Sequence, residues 1–201
     1  MFEDIEKVVY INLDERTDRR AEIERQLSIF PSEKIVRFPA IKHLNGAIGA
    51  SMSHIAVVEL AIQNDWNNVL IVEDDMIWNK FEVGYPIYEK LVSNPFDVLC
   101  LGSACVDYDR QTYKAKYVST GTAYLVNKHY YQTLLQTFKD GLKNFTNDES
   151  KHSLYALDRC WLKLIETDNW FVIQPTLCIQ KPGFSDIEHK FVNYNPQFGV
   201  W

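Results

Sequence analysis

Seven residues, Val69-Leu70-Ile71-Val72-Glu73-Asp74-Asp75, constrain the fold more than any other stretch. Four consecutive apolar residues run directly into three carboxylates. A run that short, rich in Val and Ile, reads as a central strand buried on both faces. Three carboxylates at its end cannot all be buried without partners, because an unpaired buried charge is very costly. They must emerge at the carboxyl edge of a sheet, where ligands of open α/β sheets collect. Their mutual repulsion calls for a cation, and oxygen-only ligands suit a hard ion such as Mg²⁺ or Mn²⁺. The plainer alternative is a solvated strand-to-loop junction.

The chain around this stretch has 201 residues, enough for one domain spanning 1–201 with a proper core. With 46% hydrophobic residues it can bury what it needs, which argues against disorder. A formal charge of −6 argues against broad nucleic-acid binding or attraction to anionic membranes. No apolar run reaches the roughly 20 residues of a membrane helix. Met1-Phe2-Glu3-Asp4 lacks a signal-peptide pattern. Cys100, Cys105, Cys160 and Cys178 have neither zinc-site spacing nor the density of a disulfide scaffold, and read as reduced core thiols. These features together give a cytoplasmic expectation, with peripheral contact to a membrane-borne acceptor left open and oligomeric state undetermined.

In chain order, Lys7–Asn12 reads as a first strand and Leu13–Arg16 as its exit loop. Thr17 is a candidate N-cap for a helix carrying Ile23, Leu27 and Phe30, stopped by Pro31. Arg16, Arg19 and Arg20 crowd the first turn of that helix, where cations oppose the dipole. They are either a solvated face or the partners of an anion. Lys34–Phe38 is a short second strand, and Lys42–Gly49 a loop with an Asn45-Gly46 turn. The next helix is predicted to begin at Gly49 or Ser51 and to end near Asn64. The acidic strand follows and completes the order β, α, β, α, β, which implies a parallel sheet.

Further on, a helix is predicted over Tyr85–Leu91 and a buried strand over Asp97–Gly102. Tyr113–Val126 is strand-like but broken at Ser119–Thr122. An amphipathic helix carries Tyr131, Leu134, Leu135 and Phe138, and Gly141–His152 reads as loop. Leu157, Trp161 and Leu164 predict one late helix from Ser153, with Asp158 near its start, where the dipole favours a carboxylate. Trp170–Val172 is a last strand, and Gln180–His189 an irregular tail. No phosphate loop, GxGxxG or GxSxG is present.

Four blocks, in this order, give the chain a resemblance. They are Tyr10-Ile11-Asn12-Leu13-Asp14 with Arg16 and Asp18-Arg19-Arg20; Gly46 to His54; Leu70 to Asp75; and Gly121-Thr122-Ala123-Tyr124-Leu125-Val126, with a weaker echo at Ser185-Asp186-Ile187. The chain resembles glycosyltransferase family 25, which includes bacterial lipooligosaccharide galactosyltransferases and procollagen hydroxylysine galactosyltransferases. It departs from that pattern at Ala50, where the family has Cys. Any acceptor-binding extension beyond the tail block is expected to be missing or supplied elsewhere.

The resemblance implies an α/β fold of the Rossmann-like type-A glycosyltransferase (GT-A) kind, with a mostly parallel central sheet. It further implies a UDP-hexose donor (galactose or glucose), Mn²⁺ or Mg²⁺, inversion at the anomeric carbon, and a glycan or protein hydroxyl as acceptor. On that basis Asp75 and Glu73 are the expected metal ligands, with His189 as a third. Tyr10, Asn12, Leu13, Arg16, Arg20, Gly46, Gly49, Ser53, His54, Glu73, Asp74, Gly121 and Thr122 are expected around the donor, the glycines by permitting close backbone approach. Inversion needs a general base for the acceptor hydroxyl. Asp158 is the first candidate, followed by Asp186 and Asp97. Two other readings compete: a non-catalytic relative that binds sugar nucleotide, and a metal-dependent phosphoryl or nucleotidyl transferase using the same acidic edge.

Overall fold

The computed structural model describes residues 1–199, the side chain of Cys105 apart. Along the chain it forms β1 (Lys7–Asn12), α1 (Thr17–Leu27), β2 (Ile35–Pro39), α2 (Gly46–Gln63), β3 (Asn68–Glu73), β4 (Met76–Trp78) and α3 (Phe81–Val92). Then come β5 (Val98–Tyr108), β6 (Ala115–Asn127), α4 (Tyr131–Asn147), α5 (His152–Tyr155), α6 (Leu157–Cys160) and α7 (Leu162–Ile165). The last elements are β7 (Trp170–Val172), β8 (Cys178–Gln180), β9 (Gly183–Ser185) and β10 (Lys190–Val192).

Six strands form the main sheet in the order β2-β1-β3-β6-β5-β7. β2, β1 and β3 run parallel, β6 is antiparallel to both neighbours, and β7 is parallel to β5. The sheet is therefore mostly parallel with one reversed strand. The acidic stretch ends β3 in its middle, as the apolar run requires. Successive side chains of a strand point to opposite faces, and both faces here are covered. Val69, Ile71, Tyr124 and Val126 pack with α2, α4 and Trp161 on one side. Leu70, Val72, Ala123 and Leu125 pack with α1 and α3 on the other.

The helix over Gly46–Gln63 is long and apolar enough to cross a membrane, yet just over half of it is buried inside the protein. Its residues Ile55, Val57, Val58 and Ala61 belong to the core, so its apolarity is explained by packing. Cys100 and Cys178 are buried free thiols and Cys160 is partly buried and free. Burial pushes the Cys100 thiol up to about 12. The side chain of Cys105 lies outside the described residues.

Several boundaries differ from expectation, each for a tertiary reason. α2 starts three residues earlier than the predicted Gly49, because the Asn45 side chain caps it by accepting from the Ala47 N–H at 3.1 Å. α1 has Arg16 rather than Thr17 at its cap position, and no side chain caps it. The loop predicted for Gly141–His152 is helical as far as Asn147. Gly141 sits inside α4 because α6 lies against it: a Cβ there would lie 2.7 Å from Cys160 Cβ. Phe145 continues the buried stripe one turn on. The late helix is divided into α5, α6 and α7, with Ala156 in extended conformation (ψ 157°) between the first two. β6 is continuous across Ser119–Thr122, but Thr120 has φ 65° and the pairing with β5 slips there. The irregular tail contains β8, which pairs with β4, and the β9–β10 hairpin.

β8 lies against β5 at Gly102, where an added Cβ would sit 2.5 Å from Cys178 Sγ and 2.9 Å from Cys178 O. Gly102→Ala should therefore cost about 1–3 kcal/mol of stability through overpacking, read as a lower urea midpoint. Gly183→Ala, with its nearest neighbour at 3.9 Å, is the control and should be near neutral. Equal midpoints for the two variants would contradict this packing.

Candidate functional site

Parallel strands β1 and β3 end side by side, with Ile11 opposite Glu73. The three carboxylates that follow diverge. Glu73 points to the α2 face, and Asp74 and Asp75 turn toward α1. Asp74 is almost fully buried and both its oxygens are bound: Oδ2 accepts from Asn12 Nδ2 at 2.8 Å and Oδ1 from Arg19 Nη1 at 2.7 Å. Arg19 Nη1 also reaches Asp75 Oδ2 at 3.1 Å, while its Nη2 donates to the carbonyl of Phe184 at 2.8 Å. The other Asp75 oxygen, Oδ1, is buried and has no partner among the described residues.

The arginines of α1 therefore do meet anions, and these belong to the protein. Arg16 pairs with Asp18 and with Asp186 of the tail. Arg20 pairs with Glu24 at 2.9 Å on an exposed face. Tyr10 is buried and donates to Glu24 at 2.5 Å. Burial raises its phenol to about 12, with the Glu24 carboxylate adding to the effect. Asn12 is likewise buried and committed: it donates to Arg16 O and Asp74, and accepts from Arg37 Nε at 3.3 Å. Leu13 supplies the carbonyl that accepts from Arg16 N at 3.0 Å, shaping the turn into α1.

The close approach expected at Gly46 and Gly49 is made by the chain itself. A Cβ at Gly46 would lie 2.9 Å from Ile187 Cα, and one at Gly49 would lie 2.6 Å from Ile41 O. Ser53, fully buried, donates to Gly49 O and accepts from Ile41 N, both at 2.8 Å. Its hydroxyl holds the loop before α2 in place.

Glu73 faces a second cluster. Its Oε2 accepts from Gln180 Nε2 at 2.7 Å, and its Oε1 lies 3.9 Å from His54 Nε2. Burial pushes the Glu73 carboxyl up, and the Asp75 charge adds to the shift. Burial likewise raises Asp75, against the pull of Arg19. His54 Nδ1 lies 2.7 Å from the Tyr124 hydroxyl, and burial lowers the imidazole to about 3, so it is neutral. Gly121 borders Glu73, His54 and Leu157. Thr122 is buried, with its Oγ1 3.3 Å from Thr120 Oγ1. Asp158 accepts from the Thr120 N–H at 3.0 Å. That bond orients it, and the expected dipole contribution falls away because α6 has only four residues. Asp158 is close enough for its charge to act on Glu73.

Two other candidates stand apart from this cluster. Asp97 binds His129 at 2.7 Å and the Asn169 N–H at 2.7 Å, directly before the first residue of β5. His189 occupies the exposed turn between β9 and β10 with φ 53°. The expected set of Glu73, Asp75 and His189 is not assembled: among the described residues no three His, Cys, Asp or Glu side chains gather around a possible metal position. The unpaired Asp75 Oδ1 does fit an ion that a protein holds by one or two carboxylates while substrate phosphates supply the rest, the usual manner for Mg²⁺.

Arg19, Gln180 and Tyr124 are the site residues that sequence reasoning did not single out. Arg19 was visible as one of three arginines, but nothing in their spacing tells which one turns back to the sheet. Tyr124 lies in the fourth motif block, and its partner is on α2, 70 residues away in sequence.

Without metal, Glu73 and Asp75 bind protons more tightly in the folded chain than when unfolded. Folded protein then holds the extra protons, so stability should fall as pH rises above about 4, where unfolded carboxylates titrate. Urea unfolding in EDTA at pH 5 and pH 8 reads this slope, which the buried neutral His54 opposes below about pH 6.5, so the difference between wild type and an Arg19 variant isolates the acidic turn. Arg19→Gln should steepen it and lower stability at pH 8 by about 3 kcal/mol, because two largely buried carboxylates lose their counter-charge. A flat profile in both proteins would mean that the acidic turn is solvated.

No family model matches the chain, and no curated protein matches it either. Solved structures do. A glycosyltransferase involved in the glycosylation of the major capsid of PBCV-1 superposes with a TM-score of 0.52 at 11% identity, over 87% of this chain and 92% of that one. The glycosyltransferase GlyE of Streptococcus pneumoniae TIGR4 is looser, with a TM-score of 0.47 at 12% identity over 85% of this chain and 45% of that one, and bears no weight. The first likeness, with the sheet order described, makes this a mixed α/β fold of the glycosyltransferase GT-A kind.

Proposed function

We propose that the chain is an inverting, metal-dependent glycosyltransferase of the family 25 kind, moving galactose or glucose from a UDP-sugar to a hydroxyl of a glycan or protein acceptor. The observation that carries this reading is the buried, unpaired Asp75 Oδ1 at the carboxyl edge of the central strand. Arg16 and Arg19 border the acidic turn, each already paired with carboxylates of the chain, and a diphosphate would have to take the place of one of those partners. A divalent cation bound by Asp75 and the diphosphate would supply Lewis-acid stabilisation of the departing UDP. Glu73 would support the ion or the donor.

In a single displacement, the acceptor oxygen forms its bond to the anomeric carbon as the bond to UDP breaks. UDP leaves with the electron pair, and the acceptor's proton goes to a carboxylate. Asp158 is the proposed base. The Thr120 N–H holds one of its oxygens, and the residue is close enough for its charge to act on Glu73. Asp186 is less suited, since it is paired with Arg16. One observation favours a second reading. Arg19 already bridges Asp74 and Asp75, as a cation would, which suits a relative that binds sugar nucleotide without catalysis.

Release of UDP from a panel of UDP-hexoses, with Mn²⁺ or with EDTA, tests both. Turnover that requires Mn²⁺ and is lost in a well-folded Asp75→Asn protein supports the enzyme. Binding without turnover supports the second reading. Asp158→Asn should keep donor binding and reduce transfer by roughly a hundredfold to ten-thousandfold, the usual range for loss of a general base. Near-normal transfer in that variant would move the base elsewhere.

A further inference from the structure

His54 and Glu73 face each other across a gap that neither can close. Both His54 and Tyr124 are about 1% exposed, and their rings stack at 5.7 Å with 9° between planes. A buried phenol must donate its proton, and among the described residues its only acceptor is His54 Nδ1 at 2.7 Å. Nδ1 therefore accepts, and the imidazole proton resides on Nε2. Nε2 lies 3.9 Å from Glu73 Oε1, beyond hydrogen-bond range. The other Glu73 oxygen is taken by Gln180. One donor on a buried ring and one acceptor on a partly exposed carboxylate are thus left 3.9 Å apart without a bond.

Gly121 borders both residues, and its missing side chain leaves room there for a group the size of a methyl. A Cβ at Gly121 would lie 3.4 Å from His54 Cε1, 3.5 Å from Leu157 Cδ2 and 3.7 Å from Glu73 Oε1. A hydroxyl group fits this arrangement, since it can accept from Nε2–H and donate to Oε1 at once. The carbon bearing it would rest on Gly121 and Leu157. Asp75 follows Glu73 by two residues, and Asp158 follows Leu157. Glu73 also feels the charges of both Asp75 and Asp158, the residues proposed for the leaving group and for the base, so a sugar held between those two would pass close to it.

The geometry points to a subsite in which Glu73, His54 and Gly121 recognise one ring hydroxyl of the donor's hexose, with Tyr124 positioning His54. This rests on the reading of the chain as a sugar-nucleotide transferase and adds to it which atoms read the sugar.

Calorimetry on the full chain with Mn²⁺, using UDP, UDP-galactose, UDP-glucose and their monodeoxy analogues, tests the subsite. The intact hexose should add affinity over UDP alone, and one deoxy position should lose roughly tenfold to a hundredfold, the worth of a hydrogen bond to a charged partner. Gly121→Ala places its methyl at ordinary contact distance, so the protein should fold with an unchanged melting temperature. It should bind UDP as wild type does and lose the sugar's added affinity. Tyr124→Phe frees the His54 tautomer and should lose part of that affinity, again with UDP binding unchanged. The subsite is overturned if every deoxy donor binds like its parent, or if a normally folded Gly121→Ala protein keeps the sugar's contribution. If wild type binds neither UDP nor any UDP-hexose, the transferase reading itself fails, and the subsite with it.

Discussion

The arrangement at the carboxyl edge depends on the Arg19 guanidinium between Asp74 and Asp75. A strand buried on both faces delivers three carboxylates to one turn, and such a cluster is stable only with counter-charge and donors. Arg19 supplies the charge, Asn12 supplies a second donor to Asp74, and Gln180 supplies one to Glu73. What is left over is instructive. One oxygen of Asp75 and one of Glu73 stay without a close partner, and they lie on opposite sides of the strand end. The chain satisfies the cluster enough to fold and leaves open the atoms that chemistry would need.

The same pairing draws the C-terminal hairpin onto the site. Arg19 binds the Phe184 carbonyl, Arg16 binds Asp186, and Ile187 lies against Gly46. The tail that looks irregular in sequence is held by side chains from the opposite end of the chain. Small residues make the remaining close approaches. Gly102 admits β8, Gly141 admits α6, and Gly49 admits the loop before α2. The helix lengths follow from these contacts as much as from intrinsic propensity, since tertiary packing overrides weak local preference.

Much was readable from the sequence. The apolar run before Glu73 determined a central strand, and the alternation of β and α segments determined a parallel sheet. The order of motif blocks pointed to the GT-A kind of fold that the superposition shows. The acidic turn, the glycines and the arginines were all visible as residues that an ordinary surface does not require.

Only the tertiary structure decided what each of these residues does. Spacing along α1 could not distinguish Arg19, which reaches the acidic turn, from Arg20, which pairs with Glu24 in solvent. Asp158 is oriented by the backbone of a distorted strand 38 residues earlier, where sequence suggested a helix dipole. His54 acquires its tautomer from Tyr124, and Gly121 acquires its meaning from Glu73, His54 and Leu157. Local sequence determines which face of a strand or helix a side chain occupies, because periodicity is a local property. Its partner comes from another element, and that is set only once the sheet order and the slip in β6 bring distant segments together.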